Sequence, residues 1–167
     1  MEKAREQLEK LFIELNHRIE KLSRERRDEG LLPIPKSKIQ ILGQMSLLAN
    51  EKVSLLLSLA QTGDFDARLK MEHFVKKELQ ELLKERHLIY DEDSPLVWIP
   101  PGAQFELLSD LKHVVVESID PESALVSKAV KAPAKNKQLI REAIASDVFP
   151  TLVDRILKNG GKLEDFV

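Results

Sequence analysis

The sequence contains no cysteine, which excludes disulfide frameworks, thiolate metal sites and cysteine nucleophiles, and allows a reducing compartment without requiring one. No apolar run approaches the ~18 residues of a membrane span, and the charged start Met1-Glu2-Lys3-Ala4-Arg5-Glu6 is unlike a secretory signal. A soluble, cytoplasmic protein is the expectation. There is little excess of either charge: 26 basic and 28 acidic residues give a formal net charge of -2. Nucleic-acid binding would therefore need a local basic patch, and none dominates the sequence. Serine nucleophile elbows and Gly-x-x-x-x-Gly-Lys phosphate loops are absent. His17, His73, His87 and His113 form no short metal-ligand spacing, and each reads as an isolated surface or packing residue.

What is present suits one ordinary domain with a helical appendage: 167 residues, 43% apolar and 32% charged, enough for a sizeable core. Leu8, Phe12, Leu15, Ile19 and Leu22 recur at steps of four and three, so residues 1–32 hold one amphipathic helix with a single apolar stripe. About two heptads favour a docked helix over a self-sufficient coiled coil. Arg24, Arg26 and Arg27 read as its solvated end, and Leu31-Leu32-Pro33-Ile34-Pro35 as a connection, because proline pushes its predecessor out of the helical region.

Residues 33–120 read as an α/β (α+β) core. Lys38 to Gly43 alternates like a short strand, and Gln44 to Leu59 reads as a buried helix broken near Asn50. Asp64 to Leu69 is a strand, and Met71 to Arg86 an amphipathic helix through Phe74, Val75, Leu79, Leu82 and Leu83. His87 to Tyr90 and Leu96 to Ile99 are expected to pair as a hairpin, with Trp98 anchoring it. His113 to Ile119, with three consecutive valines, is the strongest strand and belongs inside the sheet. Residues 121–167 read as helices packed on the core: Asp120 caps the first, Pro121 opens it, and Pro133 interrupts it. Helices over residues 135–145 and 151–158 follow, the last stopped at Asn159-Gly160-Gly161. The fold class is a small mixed sheet flanked by helices.

The chemistry rests on Asp64 and Asp66. In an extended segment the period of two places both carboxylates on one face, about 7 Å apart, where a divalent ion can bridge them. The glycine turn at Gly43 brings backbone close to a phosphate, and Glu117 on the valine strand offers a third acid. The competing readings are plain. Asp64 and Asp66 also suit a turn, Glu117 also suits an edge facing solvent, and Lys128, Lys131, Lys135 and Lys137 also suit a solvated helix face.

Three stretches carry a resemblance: Ile39-Gln40-Ile41-Leu42-Gly43-Gln44, then Thr62-Gly63-Asp64-Phe65-Asp66, then Val114-Val115-Val116-Glu117-Ser118-Ile119-Asp120-Pro121 leading to Ser127-Lys128. Together, residues 34 to 145 resemble the minimal nucleotidyltransferase domain of the DNA polymerase beta superfamily, in its bacterial, toxin-antitoxin-like branch. The resemblance implies Mg²⁺-dependent transfer of a nucleotidyl group from a nucleoside triphosphate to an acceptor. It makes Asp64, Asp66 and Glu117 metal ligands, with Glu117 also activating the acceptor hydroxyl, and Gly43, Gln44, Ser46 and Lys128 nucleotide-binding residues. Gln44 stands where that family has a second Gly or Ser, and Ala132 to Lys137 lacks its Arg-x-Lys-Asp pattern. Both departures favour an alternative, a non-catalytic relative acting on a protein partner or a second copy through residues 8–22. A second alternative is a winged-helix nucleic-acid-binding module, with Met71 to Arg86 as helix and the turn at Asp91 to Asp93 as an acidic wing.

Overall fold

In the computed structural model, which describes residues 3–167, the apolar stripe of the first helix is already the key to the core. Helix α1 (Ala4–Asp28) buries Leu8, Leu11, Phe12, Leu15 and Ile19. The first two residues of the expected helix lie outside the described residues. The stripe packs against helix α4 (His73–Glu85), which presents Val75, Leu79, Leu82 and Leu83, all buried. Arg18 crosses between the two, 3.0 Å from Glu78 and 3.3 Å from Glu81. Residues 8, 12, 15 and 19 are thus consumed within the chain, and self-association through the stripe requires α1 to undock. Arg26 is more than a solvated end: it lies over the Phe74 ring and donates to the Leu32 carbonyl at 3.0 Å.

Beneath α1 and α4 lies a four-stranded mixed sheet. Strands β1 (Ser37–Ile41), β3 (Ala67–Lys70), β5 (Phe105–Asp110) and β6 (Val114–Ile119) form it in the order β3-β1-β6-β5, with β1 and β6 parallel and the outer pairs antiparallel. Alternation puts Ile39, Ile41, Ala67, Val114 and Val116 into the core. Lys38, Gln40, Arg68, Lys70 and Glu117 take the other face by the same rule. The valine strand is central, as its sequence predicts.

Two expectations need correction. Ile89–Tyr90 (β4) and residues 96–99 form no hairpin; β4 instead pairs in parallel with Asp64–Phe65 (β2), while Ser94–Leu96 is a 3₁₀ turn. The wing that a winged-helix module needs is therefore not formed. The expected strand from Asp64 to Leu69 is split at Asp66, its halves joining different sheets.

The helical break near Asn50 is real. Helices α2 (Gly43–Leu48) and α3 (Glu51–Leu56) meet there, and the Asn50 side chain caps α3 by accepting from the Val53 amide at 3.1 Å. Helix α5 (Pro121–Lys131) starts at Asp120, which accepts from the Ser123 amide at 3.0 Å with one oxygen and from the Gln104 amide at 2.8 Å with the other. Helices α6 (Lys137–Ser146) and α7 (Leu152–Lys158) complete a second apolar cluster with Leu42, Ile119 and Leu125. His113 is not isolated: its Nε2 contacts Glu20, and with Lys112 it holds the Glu20 carboxyl down at about 2. No helix among the described residues is long and apolar enough to cross a membrane.

Candidate active site

The split at Asp66 builds the site. Phe65 points into the core on one side and Ala67 on the other, both fully buried, so Asp64 and Asp66 share the opposite face, as the period of two requires. The Asp66 carbonyl continues the β1 ladder by accepting from the Leu42 amide at 2.8 Å. Its side chain therefore stands directly beside the turn that follows β1.

That turn needs its glycine twice over. Gly43 has φ +61°, a left-handed conformation that side chains disfavour, and a Cβ there would lie 2.7 Å from Asp66 Oδ2. Gly43→Ala is expected to displace the Asp66 carboxylate and to cost about 1–2 kcal/mol from backbone strain alone. Chemical denaturation measures that loss; an unchanged midpoint would mean the turn relaxes freely.

A third acid arrives from an unexpected strand. The parallel register Asp64 with Ile89 and Phe65 with Tyr90 continues one step to Asp66 beside Asp91, whose amide donates to the Phe65 carbonyl at 3.0 Å. Asp91 is fixed in a turn, accepting from the Asp93 amide at 2.9 Å. Buried Ser94 braces the group, its Oγ 2.6 Å from the Asp91 carbonyl and 3.5 Å from Asp66 Oδ1. Burial, with hydrogen bonding to Asp91 and the charges of Asp91 and Asp64, pushes the Asp66 carboxyl up from 3.8 to about 6, against the pull of Lys128.

Lys128 faces the aspartates from α5. Burial, and then the charge of Lys135, lower its pKa, while Asp66 opposes the shift. Its ammonium makes no ion pair or hydrogen bond among the described residues, while its carbonyl accepts from the Ala132 amide at 3.0 Å. Gly43 and Lys128 border a cavity of about 910 Å³, lined by Arg68, Trp98, Lys131 and Lys135 among others. That volume falls within the usual range for small-molecule sites, ~300–1,000 Å³. No family model, curated protein or solved structure matches this chain.

The remaining expected site residues lie elsewhere or are engaged. Glu117 shares the sheet face of Arg68 and Gln40, but on β6, beyond β1 from the aspartates, where Gln40 donates to it at 3.0 Å and Lys38 lies 3.6 Å away. Gln44 donates to the Ala60 carbonyl at 2.8 Å. Ser46 is buried and donates to the Gly43 carbonyl at 2.6 Å, turned inward from any phosphate. Asp91, Arg68, Lys135 and Trp98 enter the site without a local signal. The only hint is the acidic run Asp91-Glu92-Asp93, which the sequence presents as a hairpin turn.

The donor set can be tested against a metal. Among the described residues, no group of three or more His, Asp or Glu side chains is arranged as a ready-made metal cage. Mg²⁺ seldom uses one: it binds through one or two carboxylates plus phosphate oxygens and water. Hard oxygen donors gathered at a half-buried position, where burial first and then the hydrogen bond and charge of Asp91 push the Asp66 carboxyl up, fit that mode.

Proposed function

We propose that this chain is a metal-dependent nucleotidyltransferase of the DNA polymerase beta type, transferring a nucleotidyl group from a nucleoside triphosphate to an acceptor hydroxyl. One observation carries the reading: Asp66 sits against the Gly43 turn and is faced by Lys128 across the rim of a cationic cavity. Asp66 and Asp91, with Asp64 beside them, hold Mg²⁺, which supplies charge neutralisation to the phosphates when bound. Lys128 and Lys135 attract the phosphate oxygens, and the Gly43 turn lets them approach without a side chain in the way. Asp91 takes the place expected of Glu117, which Lys38 and Gln40 already occupy. The chain acts in the cytoplasm in this reading.

Calorimetric titration with ATP, with and without MgCl₂, tests it. Wild type is expected to bind in a Mg²⁺-dependent manner, Asp91→Asn to lose roughly 10–100-fold in affinity, and Glu117→Gln to keep it. Binding indifferent to Mg²⁺, or equal loss in both variants, sinks the assignment.

A second reading draws on the engaged side chains of the turn. With Gln44 tied to Ala60 and Ser46 turned onto Gly43, the chain binds nucleotide without transferring it. Release of pyrophosphate by the purified protein separates the two.

A further inference from the structure

The cavity has a second end that the metal chemistry does not use. One wall is the irregular segment after the Ser94–Leu96 turn, where half-buried Trp98, packed on the second apolar cluster, joins the lining. The Trp98 backbone is tied to another residue of the lining: its carbonyl accepts from the Ser127 hydroxyl of α5 at 2.8 Å. Among the described residues, the amides of Trp98 and Ile99 have no hydrogen-bond partner, which leaves two donors in the segment that forms this wall. One α5 side chain covers the ring, with Lys131 Nζ 5.2 Å from its centroid.

These features describe an aromatic surface with spare donors beside it, one cation over its face and further cations in the same lining. Arg68, Lys128, Lys131 and Lys135 bring four positive charges to one cavity. Lys128 and Lys135 lie close enough for each charge to be felt by the other, a repulsion that an anion between them removes.

We propose that Trp98 is the platform for the nucleobase, that purine nucleotides are the substrate class the cavity prefers, and that the phosphates extend from Trp98 past Lys135 and Lys128 toward Asp66. This rests on the nucleotidyltransferase reading and deepens it. Stacking grows with the area of the π-face, so a purine gains more on the indole than a pyrimidine. Lys131 is exposed, and an exposed ammonium is held over a ring only weakly, so a stacking base displaces it. The freed ammonium then joins the phosphate cations. Base binding here needs no metal, because none of the groups at the ring is acidic.

Trp98 is the chain's only tryptophan, so its fluorescence reports this end of the cavity directly in the unmodified protein. Titration with ATP or GTP is expected to quench the emission weakly in EDTA and at several-fold lower concentrations with MgCl₂, with UTP and CTP requiring several-fold higher concentrations than the purines in either buffer and inorganic tripolyphosphate leaving it nearly unchanged. Trp98→Ala, followed by calorimetry, is expected to weaken ATP binding roughly tenfold or more, and Trp98→Phe to restore part of it. Should Trp98→Ala not fold, the wild-type titration alone decides. Quenching that persists unchanged in Asp66→Asn and ignores Mg²⁺ supports the platform while removing the metal chemistry. Mg²⁺-dependent ATP binding that leaves the fluorescence untouched overturns the platform and keeps the transferase reading. Equal quenching by tripolyphosphate and ATP, or no nucleotide binding at all, also overturns it.

Discussion

Asp66→Asn is expected to raise the melting temperature at pH 7.5 by several degrees while abolishing Mg²⁺-dependent nucleotide binding. The two effects have one origin. The folded chain holds the Asp66 carboxyl at about 6 against an ordinary 3.8, so it resists ionisation that the unfolded chain allows. As pH rises from about 4 to about 6, the unfolded state releases its proton first, and stability falls by linkage; above about 6 the cost is complete. The difference corresponds to about 3 kcal/mol. For a half-buried group, screening by water reduces this to on the order of 1–2 kcal/mol.

Asparagine keeps the shape and removes the charge. With about 2–4 °C per kcal/mol for a chain of this size, the gain is roughly 2–8 °C at pH 7.5 and close to nothing at pH 4. Mg²⁺ reverses the comparison, because a cation bound only by the folded wild type stabilises it by mass action. Scanning calorimetry at the two pH values, with and without MgCl₂, reads all of this. A variant that melts lower at pH 7.5, together with a wild type that ignores Mg²⁺, contradicts the origin assigned to both effects.

Phe12→Ala is expected to lose about 3–5 kcal/mol, the largest stability change we anticipate. Phe12 is fully buried at the centre of the α1 stripe, in the cluster formed by α1, α4 and the inner face of the sheet. Truncation removes the transfer energy of the ring and leaves a void that Leu15, Leu79 and Leu82 fill only in part, since their backbones belong to rigid helices. Against a total of ~5–15 kcal/mol, this is a large fraction of what keeps the chain folded. A urea midpoint that falls with an unchanged slope is the expected signature. A loss below about 1 kcal/mol would show that α1 is an accessory to the core.

Local patterning made much of this architecture legible. The α1 stripe, the Asn50 break, the Asp120 cap with Pro121 and the central valine strand each carry their cause within a few residues. Strand β5 was invisible because Phe105–Asp110 lies at the sheet edge with a register shift between Leu107 and Ser109, which spoils the alternation a strand should show. The false hairpin at 87–99 has a different cause: β4 finds its partner 25 residues upstream, and a two-residue strand is too short to advertise a parallel pairing. The same pairing hid Asp91.

The site divides along that line. Asp64, Asp66 and Gly43 could be read because their relation depends on alternation and one adjacent turn. Lys128 enters through the resemblance alone, since its own spacing with Lys131 and Lys135 suits a solvated helix face equally well. Alternation along the valine strand gives Glu117 a face, but a face does not fix a distance, and β1 stands between it and the aspartates. Trp98 gave only a packing signal, since its role depends on the cavity that α5 closes over it.

Helix α1 also sets a schedule for synthesis. It is synthesised before the elements that cover it, α4, β5 and β6, and the last of these ends at Ile119. At about 5–20 residues per second, the stripe from Leu8 to Ile19 waits on the order of ten seconds for its cover. During that interval the nascent chain carries an uncovered apolar stripe, the kind of exposed surface that makes partly synthesised chains prone to aggregate.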